Sequence, residues 1–203
     1  MSLSADDRVA RLAAAEAGAA QALSLVPDHP LAHLCMGMVL GISNRAAQGI
    51  AEYERALALD QNLVGAHALI GLNKIFIGRA EETEAHVLEA LRLSPRDPWV
   101  YTFHVAAGWA ASVLGRPEEA VSWLRRSIES NRNFPVCRFL LAASLATLGR
   151  IEEARSEVAA GLSLDPEFTI AKFESAASSD NPVFLAQRGR LVDDLRRAGV
   201  PEV

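Results

Sequence analysis

Ala56-Leu57-Ala58-Leu59 recurs along the chain with small changes, as Ala22-Leu23-Ser24-Leu25, Ala90-Leu91-Arg92-Leu93, Ser127-Ile128-Glu129-Ser130 and Gly161-Leu162-Ser163-Leu164. Successive starts lie 34, 34, 37 and 34 residues apart. The neighbours of each segment share the period. A small side chain stands upstream at Ala15, Gly49, Thr83, Ala120 and Ala154, and three residues before each segment come Ala19, Tyr53, Val87, Leu124 and Val158. Pro27, Pro95 and Pro166 follow three of the segments. A turn pair also recurs, as Asn44-Arg45, Gly78-Arg79, Gly115-Arg116 and Gly149-Arg150, and three of these run into paired acids, Glu81-Glu82, Glu118-Glu119 and Glu152-Glu153.

Each piece has a mechanical meaning. Glycine accepts the left-handed conformation that ends a helix. Acids in the next turn suit the positive end of a second helix. Apolar residues spaced by three and four make one buried stripe on that helix, and proline opens the next unit. The period therefore predicts helix–turn–helix units of about 34 residues.

Composition agrees. Alanine, the best helix former, is the commonest residue, half of the 203 residues are hydrophobic, and only 6% are aromatic. The net charge is −5, from 20 basic and 25 acidic residues mixed along the chain. No basic block offers a footprint for nucleic acid. The apolar runs Leu34–Ile42 and Val105–Gly115 are about half of what spans a bilayer, and no signal-peptide pattern opens the chain. Cys35 and Cys137 lie far apart and read as free thiols of a reducing compartment. The expectation is a cytoplasmic protein that touches neither nucleic acid nor membrane.

The period and these residues resemble the tetratricopeptide repeat over about residues 14–168. In the family's phase, the small mid-helix residue of each first helix falls on Gly37, Gly71, Gly108 and Ala142. The resemblance implies an all-α fold, a right-handed superhelical solenoid of antiparallel helix pairs. It divides the chain into a partial first repeat (1–29, second helix only), repeats at 30–63, 64–97, 98–134 and 135–168, and capping helices at 169–203. The repeat at 98–134 carries three extra residues near Arg96-Asp97-Pro98-Trp99. These are expected to add one turn to its first helix, with Asp97 capping and Pro98 in the first turn.

The ends differ from the middle. Residues Ala5–Val26 make a second helix with no first helix before it, and Met1-Ser2-Leu3 reads as an expression scar on an excised fragment. Phe168–Ala177 looks like a lone first helix. A break follows at Ser178-Ser179-Asp180-Asn181-Pro182, and a last amphipathic helix runs from Pro182 to about Ala198, with Phe184, Leu191 and Leu195 on its apolar side, stopped by Gly199 and Pro201.

Catalysis finds no foothold. There is no phosphate-cradling glycine loop and no nucleophile elbow. Adjacent acids on a helix point apart, so the paired glutamates read as solvated helix starts. His33, His67 and His104 share one phase of the repeat and read as packing residues rather than metal ligands. His29 reads as a loop residue and His86 as exposed. No catalytic residue, cofactor or metal site is expected.

The informative surface is the concave one, which the resemblance builds from the first helices. It would carry Leu34, Met38 and Ile42; Ala68, Leu72, Ile75 and Phe76; Val105, Trp109 and Val113; and Phe139, Ala143 and Thr147. This face is almost wholly apolar and lacks the Lys, Arg and Asn with which family members clamp a terminal carboxylate. An apolar face of that size calls for an occupant. One expectation is the chain's own final helix. The other is a partner protein or peptide, or a second copy in a homodimer, with Trp109, Phe76 and Phe139 as anchors.

A narrower resemblance concerns Leu93-Ser94-Pro95-Arg96-Asp97-Pro98, the stretch Leu148–Ala154, and the ending Asp180-Asn181-Pro182 through Leu195–Glu202. These are similar to the C-terminal repeat region of bacterial class III adenylate/guanylate cyclases, and to repeats that follow winged-helix domains in transcription regulators. That similarity implies a regulatory module and brings no catalytic residues with it.

Overall fold

The computed structural model describes residues 5–176 and 179–203, and every regular element among them is helical. A long helix α1 (Ala5–Leu25) leads into four helix pairs: α2 (Pro30–Ile42) with α3 (Ala46–Leu59), α4 (Val64–Phe76) with α5 (Thr83–Leu93), α6 (Val100–Val113) with α7 (Pro117–Ser130), and α8 (Pro135–Thr147) with α9 (Ile151–Leu164). A short α10 (Ile170–Ser175) and a longer α11 (Pro182–Ala198) close the chain. Within a pair the helices pack on each other, and each second helix also packs on the next first helix, so the pairs stack into one helical-repeat superhelix.

The spacing seen in sequence is the packing code. Tyr53, Val87 and Leu124 are fully buried, and Val158 and Ala19 nearly so, because this phase of each second helix faces its stacked neighbours. Opposite it the first helices must be small. A methyl group added at Gly37 would lie 2.4 Å from the Tyr53 ring, and one at Gly108 would lie 2.6 Å from Leu124. Ala15 repeats the phase of buried Gly49, Ala120 and Ala154 but is exposed, because among the described residues no helix packs on that side of α1.

The turns between paired helices share one geometry. Asn44, Gly78, Gly115 and Gly149 adopt φ of 58°, 76°, 73° and 74°. The following amide then reaches back to a carbonyl five residues earlier, as in Arg79 N to Lys74 O (2.8 Å) and Arg150 N to Leu145 O (2.9 Å). That bond satisfies a carbonyl the helix end would leave open. Asparagine serves at the first turn because its short polar side chain tolerates this region.

Two expectations are corrected. The three extra residues before α6 form a turn, not helix: Pro98 and Trp99 stay outside, and α6 begins at Val100. Asp97 caps that turn, its Oδ1 accepting from Trp99 N at 2.8 Å and its carbonyl from Val100 N at 3.0 Å. The lone first helix is also shorter than expected. The Thr169 hydroxyl accepts from Lys172 N, and the carbonyls of Pro201 and Glu202 accept from Ile170 N and Ala171 N at 2.8 and 3.0 Å, so α10 starts at Ile170. Phe168 is left free to stack on Phe139, with ring centroids 3.7 Å apart. Ala177 and Ser178 lie outside the described residues.

Candidate functional site

The first helices present one face, and α11 crosses it. Asn181 sets the start of α11: its Oδ1 accepts from Val183 N and Phe184 N (2.9 and 3.1 Å), as a side-chain cap does. Its Nδ2 donates to Ile77 O, 3.2 Å away. The Ser179 hydroxyl donates to Phe76 O at 2.7 Å, and Asp180 N donates to Asn44 Oδ1 at 2.9 Å. Three successive residues thus tie the front of α11 to the turns that follow α2 and α4.

One ring then enters the face. Phe184 is 2% exposed and meets Phe76 edge to face, with centroids 5.5 Å apart. Trp109 lies 5.6 Å from Phe76 and 6.4 Å from Phe184, completing an aromatic triad over Ile75, Ala110 and Val113. A cavity of about 150 Å³ remains among α6, α8 and α11, bounded by Ser112, Val113, Ser144, Gln187 and Leu191. Trp109 Nε1 and Gln187 Oε1 are buried without hydrogen-bond partners.

The far half of α11 is different. Leu191, Val192, Leu195 and Ala198 join the core of α8 and α9. Asp194 accepts from Thr147 Oγ1 at 2.7 Å and from Arg197 Nη1 at 2.9 Å, and Arg197 Nη2 donates to Ala146 O at 2.9 Å. Arg188 is buried, lies 4.4 Å from the centroid of the Phe173 ring and donates to the carbonyls of Phe173 and Glu174 that end α10. Burial lowers the Arg188 pKa from its ordinary value, with the Glu174 carboxylate acting in the opposite sense.

The expected face residues divide three ways. Ile75, Phe76, Trp109 and Val113 come together beneath α11, with half-buried Leu72 beside them, and Ala143 and Thr147 bound the cavity. Phe139 is corrected: it stacks on Phe168 and its ring lies 2.8 Å from where a Cβ on Gly161 would stand, so it fills the core between α8 and α9 and is no surface anchor. Val105 is likewise buried in that core, Leu34 packs with Tyr53 and Ile70, and Ala68 packs with Val87 and Phe103. Met38 and Ile42 remain uncovered, at 47% and 46% exposure, in line with Leu31 at 53% and exposed Cys35 on α2. The partners that sequence reasoning missed are Asn44, Ser179, Asn181, Gln187 and Asp194. Only the capping asparagine before a proline carried a local signal.

The shared histidine phase has a structural basis. His33 bonds Glu52 at 2.6 Å, His67 faces His86 at 6.1 Å, His104 faces Trp123 at 5.8 Å, and Arg138 bonds Glu157 at 2.8 Å. Every pair joins a first-helix residue to one 19 positions later on the second helix. His86 is therefore half-buried rather than exposed, and burial lowers its pKa. His29 caps α2, its Nδ1 accepting from Ala32 N at 3.3 Å. Among the described residues no group of three His, Cys, Asp or Glu side chains is placed to hold a metal ion, and no helix is long and apolar enough to cross a membrane.

Residues 101–134 match the family model of the tetratricopeptide repeat. The match covers the unit whose small residue is Gly108 and whose turn is Gly115-Arg116. Solved structures extend the likeness in fold over most of the chain. The type IV pilus biogenesis factor PilW superposes with a TM-score of 0.72 at 19% identity, over 91% of this chain and 86% of PilW. PilF of Pseudomonas aeruginosa gives 0.69 at 20% identity, over 91% and 86%. YrrB, described as a tetratricopeptide protein with an unusual peptide-binding site, gives 0.57 at 23% identity, over 87% and 91%. No curated protein matches the chain.

Proposed function

We infer that the chain is a non-catalytic protein-interaction module that receives a protein or peptide segment on the face of its first helices. The observation that carries this reading is the uncovered stripe Leu31, Met38 and Ile42 on α2, three large apolar side chains each about half exposed. The stripe continues the face that α11 covers further along, so part of one apolar surface is filled by the chain itself and part is open. Burying the exposed half of such side chains in a partner gains roughly 1 kcal/mol each, and a helix or extended segment is the kind of ligand that covers a stripe of this shape. The peptide-binding site ascribed to YrrB is in keeping with this reading.

A photo-crosslinking residue at Met38, introduced in the native host, tests it. A discrete adduct that is lost with Ile42→Asp, and is not formed from the exposed second-helix position Arg55, supports the reading. Equal labelling from both positions overturns it.

The finer reading places this module in the cytoplasm as the C-terminal part of a bacterial signalling adenylate/guanylate cyclase. It rests on the resemblance of Leu93–Pro98, Leu148–Ala154 and the Asp180–Glu202 ending. A winged-helix regulator and a freestanding scaffold or assembly protein are the alternatives. A reading frame that runs upstream of Ala5 into a cyclase domain supports the cyclase parent, and one that runs into a winged helix sinks it. On either account the chain itself turns over neither ATP nor GTP with Mn²⁺.

A further inference from the structure

The aromatic triad is built from two helices of the solenoid and one residue of α11, and the two halves of α11 are held unequally. From Leu191 onward, four apolar side chains are buried in the core of α8 and α9, reinforced by the Thr147–Asp194–Arg197 network. From Pro182 to Gln187 only Phe184 is buried. Val183 and Leu185 are 48% and 44% exposed. The clasp between the halves is Arg188, which binds the end of α10 rather than the face beneath it.

The contact under this front half is incomplete. Trp109 Nε1, beneath the Phe184 ring, and Gln187 Oε1, at the end of this half, are buried without partners. Unpaired buried polar atoms weaken an interface. The ties at Ser179, Asp180 and Asn181 are single hydrogen bonds to a backbone carbonyl or a side-chain amide, each of which water can replace.

Building on the interaction-module reading, we propose that Pro182–Gln187 is a displaceable arm over a cryptic aromatic site formed by Phe76 and Trp109. The site accepts a helix of a partner protein that presents one aromatic side chain where Phe184 now sits. Phe184 is the resident stand-in for that side chain: the ring is held edge to face by Phe76, which is how an incoming phenylalanine or tyrosine would be gripped. The open stripe on α2 then gives a partner its first contact, and displacement of the arm extends that contact to α4 and α6.

Hydrogen exchange on the full chain tests the arm without any partner. The amides of Leu185, Ala186 and Gln187 are expected to exchange at least ten-fold faster than those of Val192 and Leu195, with little dependence on added denaturant. That pattern marks local opening. Identical rates with the same steep denaturant dependence in both halves would overturn the arm.

A labelled synthetic peptide of residues 179–190 tests the site. It should bind the full-length Phe184→Ala chain at least ten-fold more tightly than the unaltered chain, and a peptide carrying the same substitution should not bind. Absence of binding to a variant whose helical circular dichroism is intact would overturn the site. Should that variant not fold, the same comparison is made on the Asn181→Ala chain, which loosens the arm and keeps Phe184. Loss of the Met38 adduct with peptide binding retained would sink the interaction-module reading and leave the arm standing.

Discussion

Phe184 of α11 meets Phe76 of α4 edge to face, with ring planes at 82° and centroids 5.5 Å apart, although the two residues are separated by most of the repeat array. The contact joins α11 to the second of the four helix pairs, across α6. It turns a row of first helices into a covered face.

Phe184→Ala removes the deepest side chain of the front half of α11. A buried phenylalanine replaced by alanine costs about 3–5 kcal/mol in a rigid core. The low end is expected here, because the flanking Val183 and Leu185 are half exposed and this end of α11 can shift to close the gap. Urea unfolding of the two proteins measures the difference, and a loss under about 1 kcal/mol would show that the ring is not packed as described.

Glycine positions should separate by sign. Gly108→Ala drives a methyl group into Leu124, 2.6 Å away, and overpacking of that kind costs about 1–3 kcal/mol. Gly189→Ala meets nothing within 4 Å on an exposed helix surface and should stabilise by about 0.5–1 kcal/mol. Gly149→Ala has open space as well, but φ of 74° makes it unfavourable by about 1 kcal/mol. Thermal melts of the three variants, run side by side, read the signs directly.

Stability should fall as pH drops from about 7.5 to about 5.5. Burial lowers the pKa of His86, helped by the nearby charges of His67 and Lys74 and opposed by Glu82 and Glu54. Burial also lowers that of His104, helped by Arg126 and opposed by a backbone hydrogen bond and Glu129. A base whose folded pKa lies below its ordinary 6.5 binds fewer protons folded than unfolded, so its contribution is complete above 6.5 and is lost as pH falls toward the lowered value. The carboxylates of Glu82, Glu89 and Glu153 are held below 4.5 by their partners and stay charged across this range. The double variant His86→Gln with His104→Gln should flatten the profile of urea midpoint against pH. An unchanged slope would mean that neither ring is as buried as the structure places it.

Asn181→Ala removes both the cap of α11 and the bond to Ile77 O. Loss of a side-chain cap costs about 1 kcal/mol, and the same substitution should speed amide exchange at Leu185–Gln187 more than at Val192 or Leu195. A uniform effect along α11 would contradict the division between its two halves.

Much of the fold was legible because the repeat is a local code. The left-handed turn at Gly115 and the close approach of Gly108 to Leu124 each involve residues a short distance apart in sequence; the turn recurs four times, once with asparagine in place of glycine, and the close approach recurs at Gly37 and Tyr53. The limits of α11 were legible for the same reason, since Asn181-Pro182 opens a helix and Gly199 closes one. The turn at Pro98 was misjudged because an inserted segment has no copy elsewhere to compare with. Phe139 was misplaced because an apolar residue on a first helix can face either the open surface or the next pair, and Gly161 with Phe168, far along the chain, decides which.

The helix pairs, their turns and the phase that packs them follow from spacing, helix propensity and the steric needs of glycine, all of which can be read along the chain. That α11 turns back over the first helices, that Phe184 enters between Phe76 and Trp109, and that Leu31, Met38 and Ile42 stay open are outcomes of packing between distant segments. An amphipathic helix at the end of a chain can bury its apolar side against any apolar face within reach. Which one it takes depends on shape, distant hydrogen bonds such as Ser179 to Phe76 O, and the space left by neighbours, none of which is written in a local pattern.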